Sequence, residues 1–149
     1  MGRVETEDCT AFLGRASNGV LVNIENTGIS SGEGNDMGFE IWGKKGAIKW
    51  QEQYANELLL SEERAPGDRK GFKVIEMGGA HPFANHLWGG AYFGIGVTED
   101  KMLDLGSFLD ACIKDKPYSP TFEDGYEAAK IIDAVAKSSE TKQWVKVNG

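Results

Sequence analysis

The hydrophobic period of this chain changes once, and that change limits the folds open to it. As far as Met77, apolar residues alternate with polar ones in short runs; from Thr98 onward they recur at helical spacing. Cys9, Ala11 and Leu13 alternate with more polar neighbours. Val20, Val22 and Ile24 form a return run, with Leu21, Asn23 and Glu25 on its other face. Between the two runs, Asn18-Gly19 supplies residues that tolerate positive φ, so the spacing predicts a hairpin from Glu7 to Ile29 closed by a type I′ turn. Residues 28 to 36, GISSGEGND, are too rich in Gly and Ser for a regular element and read as an exposed loop.

A second hairpin follows. Phe39 and Ile41 share one face, Glu40 and Trp42 the other, Gly43-Lys44-Lys45-Gly46 makes the turn and Ala47 to Trp50 returns. Glu57 to Leu60 and Phe72 to Met77 read as two more strands around Pro66-Gly67. Twenty glycines fit a chain of short strands and tight turns. Strands joined in sequence this way form an antiparallel sheet rather than a parallel one.

Beyond residue 97 the pattern is helical. Thr98 is the expected cap of a first helix with Met102, Leu105, Leu109 and Cys112 on one face, Phe108 and Ile113 beside them, and Pro117 as its stop. Thr121 caps a second, whose stripe of Ala128, Ile131, Ile132 and Val135 is expected to face the sheet. Trp144 to Val147 reads as a closing strand. The expected fold is α+β: one mainly antiparallel, open-faced β-sheet with helices packed on one side. Residues 1–149 form a single domain, since nothing repeats and no linker divides them. Apolar residues occur on both sides of several strands, with Leu21 against Val22 and Trp42 against Ile41. The open face is therefore expected to be covered by another subunit, as an even-numbered homo-oligomer.

A net charge of −7 without a Lys/Arg run argues against nucleic acid or an anionic membrane as partner. No apolar run approaches the roughly 20 residues of a membrane span. Cys9 and Cys112 lie far apart, which fits two buried free thiols in a reducing cytoplasm.

Few residues carry a chemical motif by themselves. The glycine clusters at residues 28 to 34 and 89 to 96 lack the G-x-G-x-x-G spacing and the preceding strand of a dinucleotide site, so no cofactor is expected on this chain. His81 and His86 are five apart with no carboxylate or Cys close by in sequence, a poor metal set. Glu123 and Asp124 fall where a helix dipole favours carboxylates, which explains them without acid–base chemistry.

Three stretches together resemble the C-terminal domain of the Gfo/Idh/MocA oxidoreductases (glucose–fructose oxidoreductase, inositol dehydrogenase and relatives). They are DCTAFLGRASNGVLVNIENTG at 8 to 28, FEIWGKKGAIKWQEQYANEL at 39 to 58, and SFLDACIKDKPYSPTFEDGYEAAKIIDAVAKSSETKQWVKV at 107 to 147. The resemblance implies a substrate-cleft and oligomerisation domain acting with an N-terminal Rossmann domain that binds NAD or NADP. It further implies a sugar, inositol or related polyol as substrate, and a cytoplasmic location. The family's Glu-Lys-Pro and D-x-x-x-H motifs are absent, so no catalytic residue is assigned and this chain alone is expected to be inactive. Asn35 matches an Asn near the family's cleft, although Glu33 or its neighbour stands where the family has a basic residue, which argues against an anionic substrate. Residues 81 to 93 align with a loop that lines that cleft. There His81, His86, Trp88 and Tyr92 suit a sugar, aromatic faces meeting C–H surfaces and polar groups meeting hydroxyls. The alternative is a stand-alone small-ligand-binding or dimerisation module without catalytic activity.

Overall fold

The computed structural model describes residues 6–77 and 96–147. The fold is α+β, and among the described residues the strands pair antiparallel, as a pair and a set of four. The chain divides into two compact units, residues 1–34 with 117–149, and residues 35–116.

In the first unit, β1 (Cys9–Arg15) pairs with β2 (Leu21–Thr27), Cys9 opposite Thr27 and Arg15 opposite Leu21. The connection differs from expectation. The Gly19 N–H donates to the Ala16 carbonyl at 2.8 Å and the Ala16 N–H to the Val20 carbonyl at 2.9 Å, closing a three-residue loop. Of Asn18 and Gly19, only Gly19 has positive φ, at 88°. This is a type I turn followed by a glycine bulge, not a type I′ turn. Asn18 contributes its side chain instead, Oδ1 accepting the Val20 N–H at 3.1 Å. The less exposed face of β1 is not the one that carries Cys9, Ala11 and Leu13. Thr10, Phe12 and Gly14 are half-buried, while Cys9, Ala11 and Leu13 are exposed. Phe12 stands opposite Ile24 and Gly14 opposite Val22, so the largest apolar pairing selects that face.

The second helix begins as its sequence dictates. Helix α2 (Phe122–Thr141) is capped by Thr121, whose Oγ1 accepts the Asp124 N–H at 3.2 Å while Asp124 Oδ2 accepts the Thr121 N–H at 2.6 Å. Its less exposed side runs through Lys130, Ala134, Val135 and Ser138. Ile132, expected to face the sheet, is 66% exposed, and Ile131 and Ala128 are exposed with it. Lys142 then takes a left-handed conformation, φ 57°. Among the described residues the expected closing strand, 144 to 147, has no ladder partner. Ser138 Oγ donates to the Gln143 carbonyl at 2.7 Å and holds the start of this tail against the helix end.

The second unit contains β3 (Gly38–Gly43), β4 (Gly46–Gln51), β5 (Glu57–Glu62) and β6 (Lys73–Glu76), in that spatial order. Short 3-10 turns at Glu52–Tyr54 and Gly67–Arg69 join the later strands. Register separates the two faces. One carries Phe39, Ile41, Ile48, Trp50, Leu58, Leu60 and Ile75, since Phe39 opposes Trp50, Ile41 opposes Ile48, Ile48 opposes Leu60 and Leu58 opposes Ile75. Phe39 and Trp50 stack there with ring centroids 5.8 Å apart. The other face carries a cation among aromatic rings: Lys49 Nζ lies 3.0 Å from Glu40 Oε1 and 4.9 Å from the centre of the Phe72 ring. Gly46 sits where β4 meets β5, with φ 159°, and a Cβ there would collide with the Ser61 carbonyl.

Helix α1 (Val97–Ile113) starts at Gly96, not at the expected Thr98. Glu99 Oε2 accepts the Gly96 N–H at 3.0 Å, one half of a capping box, and Gly96 has no side chain to supply the other half. Asp115, at φ 49°, lets the Lys116 N–H reach the Ala111 carbonyl at 2.9 Å before Pro117 ends the element. Ala111, at 9% exposure, is buried, whereas Met102, Leu105, Phe108 and Leu109 are exposed. Cys9 and Cys112 are free, as expected, but both are exposed rather than buried. Among the described residues no helix is long and apolar enough to cross a membrane.

Candidate functional site

Antiparallel order brings the ends of four strands to one edge of the larger sheet. Gly38 at the start of β3 faces Gln51 at the end of β4, and Glu57 at the start of β5 faces Glu76 at the end of β6. The loop that precedes β3 and the chain that leaves β6 therefore meet the sheet at the same end. They are three strand spacings apart, about 14 Å at roughly 4.8 Å each.

Backbone hydrogen bonds fix this edge. The Glu52 N–H donates to the Met37 carbonyl at 2.7 Å and the Met77 N–H to the Asn56 carbonyl at 2.7 Å. Trp50 Nε1 donates to the Ala55 carbonyl at 3.2 Å, so the stacked indole also holds the β4–β5 connection. Asn35 lies at this edge, exposed, three residues before β3. His81, His86, Trp88 and Tyr92 lie outside the described residues.

Beside Asn35 stands a residue that the sequence reading missed. Asp36 Oδ2 accepts from Gln51 Nε2 at 3.3 Å, while Oδ1 is shielded from solvent and has no hydrogen-bond partner among the described residues. A shielded carboxylate oxygen without a donor is costly and receptive to one, an N–H or a hydroxyl. The available signal was a carboxylate ending a glycine-rich loop immediately before a strand. With its neighbour Asn35, the edge presents an acceptor and an amide, a pair suited to hydroxyl groups.

The helix starts are occupied otherwise. Glu99 and Asp100 fill the first turn of α1, and Glu123 and Asp124 that of α2. The Asp124 carboxyl is held below its ordinary 3.8 by the hydrogen bond from the Thr121 backbone and then by that from the Thr121 hydroxyl. Carboxylates at both N-termini repel a pyrophosphate, so neither helix fits a dinucleotide. Among the described residues no group of three or more His, Cys, Asp or Glu could hold a metal ion.

Residues 1–147 match the model of an oxidoreductase family, C-terminal alpha/beta domain. A levoglucosan dehydrogenase of Pseudarthrobacter phenanthrenivorans is 34% identical over 146 residues, which are 98% of this chain and 37% of that protein. A solved structure of levoglucosan dehydrogenase in complex with NADH and levoglucosan superposes with a TM-score of 0.94 at 33% identity, covering 99% of this chain and 40% of that one. An oxidoreductase domain protein from Kribbella flavida superposes with a TM-score of 0.93 at 25% identity, covering 99% of this chain and 38% of its own. The chain thus spans about two fifths of the length of these relatives. The order of strands and helices seen here and the match over residues 1–147 lead to one assignment: the chain belongs to the Gfo/Idh/MocA oxidoreductase family, as its C-terminal alpha/beta domain.

Proposed function

We propose that this chain forms the substrate cleft and the oligomer interface of an NAD- or NADP-dependent cytoplasmic oxidoreductase acting on a sugar, inositol or related polyol. The cofactor sits on an N-terminal Rossmann domain of the same protein, and this chain contributes no cofactor site. The observation that carries the reading is the shared edge of the larger sheet. Asn35 and Asp36 precede β3 there, and β6 ends there at Glu76, five residues before His81 in the sequence. Asn35, His81, His86, Trp88 and Tyr92 are the substrate-binding residues in this proposal, with Asp36 added to them. The levoglucosan bound by the relative is a compact anhydrosugar. An uncharged polyhydroxylated ligand of that kind suits an edge that offers a carboxylate and an amide. The apolar face of the larger sheet, with Phe39, Ile41 and Ile75 exposed, serves as the subunit interface.

The test is reduction of NAD and NADP by the full-length protein across a panel of anhydrosugars, aldoses and inositols. Activity on at least one uncharged polyol, with a raised KM in Asn35→Ala and His81→Ala, supports the reading. Activity confined to anionic or non-hydroxylated substrates refutes it.

A further inference from the structure

Asn18-Gly19, at the tip of the first hairpin, is a sequence motif that the proposed function leaves unused. We propose that it is a site of spontaneous deamidation, gated by opening of the β1–β2 turn. The Gly19 backbone nitrogen attacks Asn18 Cγ and forms a new C–N bond. The side-chain nitrogen leaves as ammonia, taking up the proton that the Gly19 N–H gives up. The product is a five-membered succinimide. Water then opens it at either carbonyl, giving aspartate or isoaspartate. No oxidant or cofactor enters.

Three features place the reaction here. Gly19 has no Cβ to obstruct the attack, and both residues are exposed at a loop tip. The reacting groups are each held by one exposed hydrogen bond: the Gly19 N–H to the Ala16 carbonyl at 2.8 Å, and Asn18 Oδ1 to the Val20 N–H at 3.1 Å. Both must be released before the nitrogen can reach Cγ, so the closed turn protects the site and the open turn exposes it. The turn lies at the exposed tip of a pair that is two-stranded among the described residues, and exposed turn hydrogen bonds of this kind open by local unfolding. By contrast, Asn23 and Asn26 lie within β2, paired with Leu13 and Thr10 and followed by the β-branched Ile24 and Thr27. Isoaspartate adds a methylene to the main chain inside a three-residue loop, which breaks the Ala16–Val20 closing pair. Either product adds a negative charge three residues from Arg15.

Trypsin releases residues 16 to 44 as one peptide, which contains Asn18, Asn23, Asn26 and Asn35 and so carries its own controls. The full-length protein is aged in mildly alkaline buffer, folded and in denaturant, and the peptide is fragmented in a mass spectrometer. A gain of about one dalton (the mass change when –NH2 becomes –OH) should accumulate at Asn18 severalfold faster than at Asn23 or Asn26 in the folded protein. It should accumulate faster still in the denatured one. Equal rates at Asn18 and Asn23 would overturn the site, and equal rates at Asn18 folded and denatured would overturn the gate. A folded protein that never modifies at Asn18 while the denatured one does would show that the turn does not open, which also overturns the proposal.

Discussion

Gln51 reaches back across the open end of the β3–β4 hairpin to Asp36, its Nε2 3.3 Å from Oδ2, and leaves Oδ1 of the same carboxylate without a donor. One oxygen ties the loop before β3 to the sheet; the other, shielded from solvent, meets no donor among the described residues and is reached by a ligand hydroxyl only if that loop shifts.

If that ligand is a polyol hydroxyl, Asp36→Ala in the full-length protein should raise KM while leaving the fold intact. A hydrogen bond to a charged group contributes about 1.5–3 kcal/mol, so KM should rise roughly ten- to a hundredfold. Removing an orphaned oxygen offsets the loss of the Gln51 contact, so the melting temperature should stay within about 3 °C of the parent. Steady-state kinetics and thermal unfolding read the two quantities separately. An unchanged KM removes Asp36 from the cleft.

The Thr121–Asp124 cap makes a statement about pH. The Asp124 carboxyl is held below 3.8 in the folded protein by its hydrogen bonds from Thr121. A depressed carboxylate stabilises fully above its unfolded value and loses that contribution as pH falls through the folded one. The cap should therefore be complete at neutral pH and fade below about pH 4. Thr121→Ala removes an N-cap side chain, a loss of about 1 kcal/mol. Thr121→Ala keeps the backbone N–H that is the larger hold on Asp124, so its loss should depend little on pH. Urea unfolding of Asp124→Ala and the parent, by contrast, should differ at pH 7 and converge toward pH 3. An Asp124→Ala difference independent of pH would show that the carboxylate is not held by the cap.

Gly43 and Gly46 flank the same two-residue turn with unequal freedom. At Gly46, φ is 159° and an added Cβ meets the Ser61 carbonyl, whereas at Gly43 it meets only the Gly46 carbonyl at an ordinary 3.6 Å. Gly46→Ala should cost about 3 kcal/mol or more, and Gly43→Ala less than about 1 kcal/mol. Denaturant midpoints of the two variants give the comparison, and equal losses would mean that β4 can move away from β5.

The apolar face of the four-stranded sheet should seat a second copy. Ile41, on the edge strand β3, is 56% exposed on that face. Ile41→Lys places a charge in that interface and should convert an even-numbered assembly of the full-length protein to smaller species without loss of secondary structure. Glu40→Lys, on the opposite face beside Lys49, should leave the assembly intact. Light scattering and circular dichroism decide; an assembly that survives Ile41→Lys is built on another surface.

Sequence alone determined what local chemistry controls. Thr121 with Asp124 three residues on fixed the start of α2, and Pro117 fixed the end of α1, because caps and breakers act through the nearest backbone groups. The strands around Gly43-Lys44-Lys45-Gly46 were legible for the same reason: alternation and a tight turn set register between neighbours. Tertiary structure decided whatever depended on partners distant in sequence. Asn-Gly permits more than one turn, and only the number of residues left out of the ladder chose the type I turn with its bulge. The strand read at Trp144 to Val147 had the right composition but no edge to join among the described residues. The stripe through Ile131 and Ile132 had the right period, yet the less exposed side of α2 is the one through Ala134 and Ser138. Asn35 was legible through resemblance, whereas Asp36 became visible only once Gln51, fifteen residues away, was seen to satisfy one of its oxygens and not the other. Period and composition say which surfaces can be buried, but burial is a property of pairs of surfaces, and the second member of each pair is chosen by the fold.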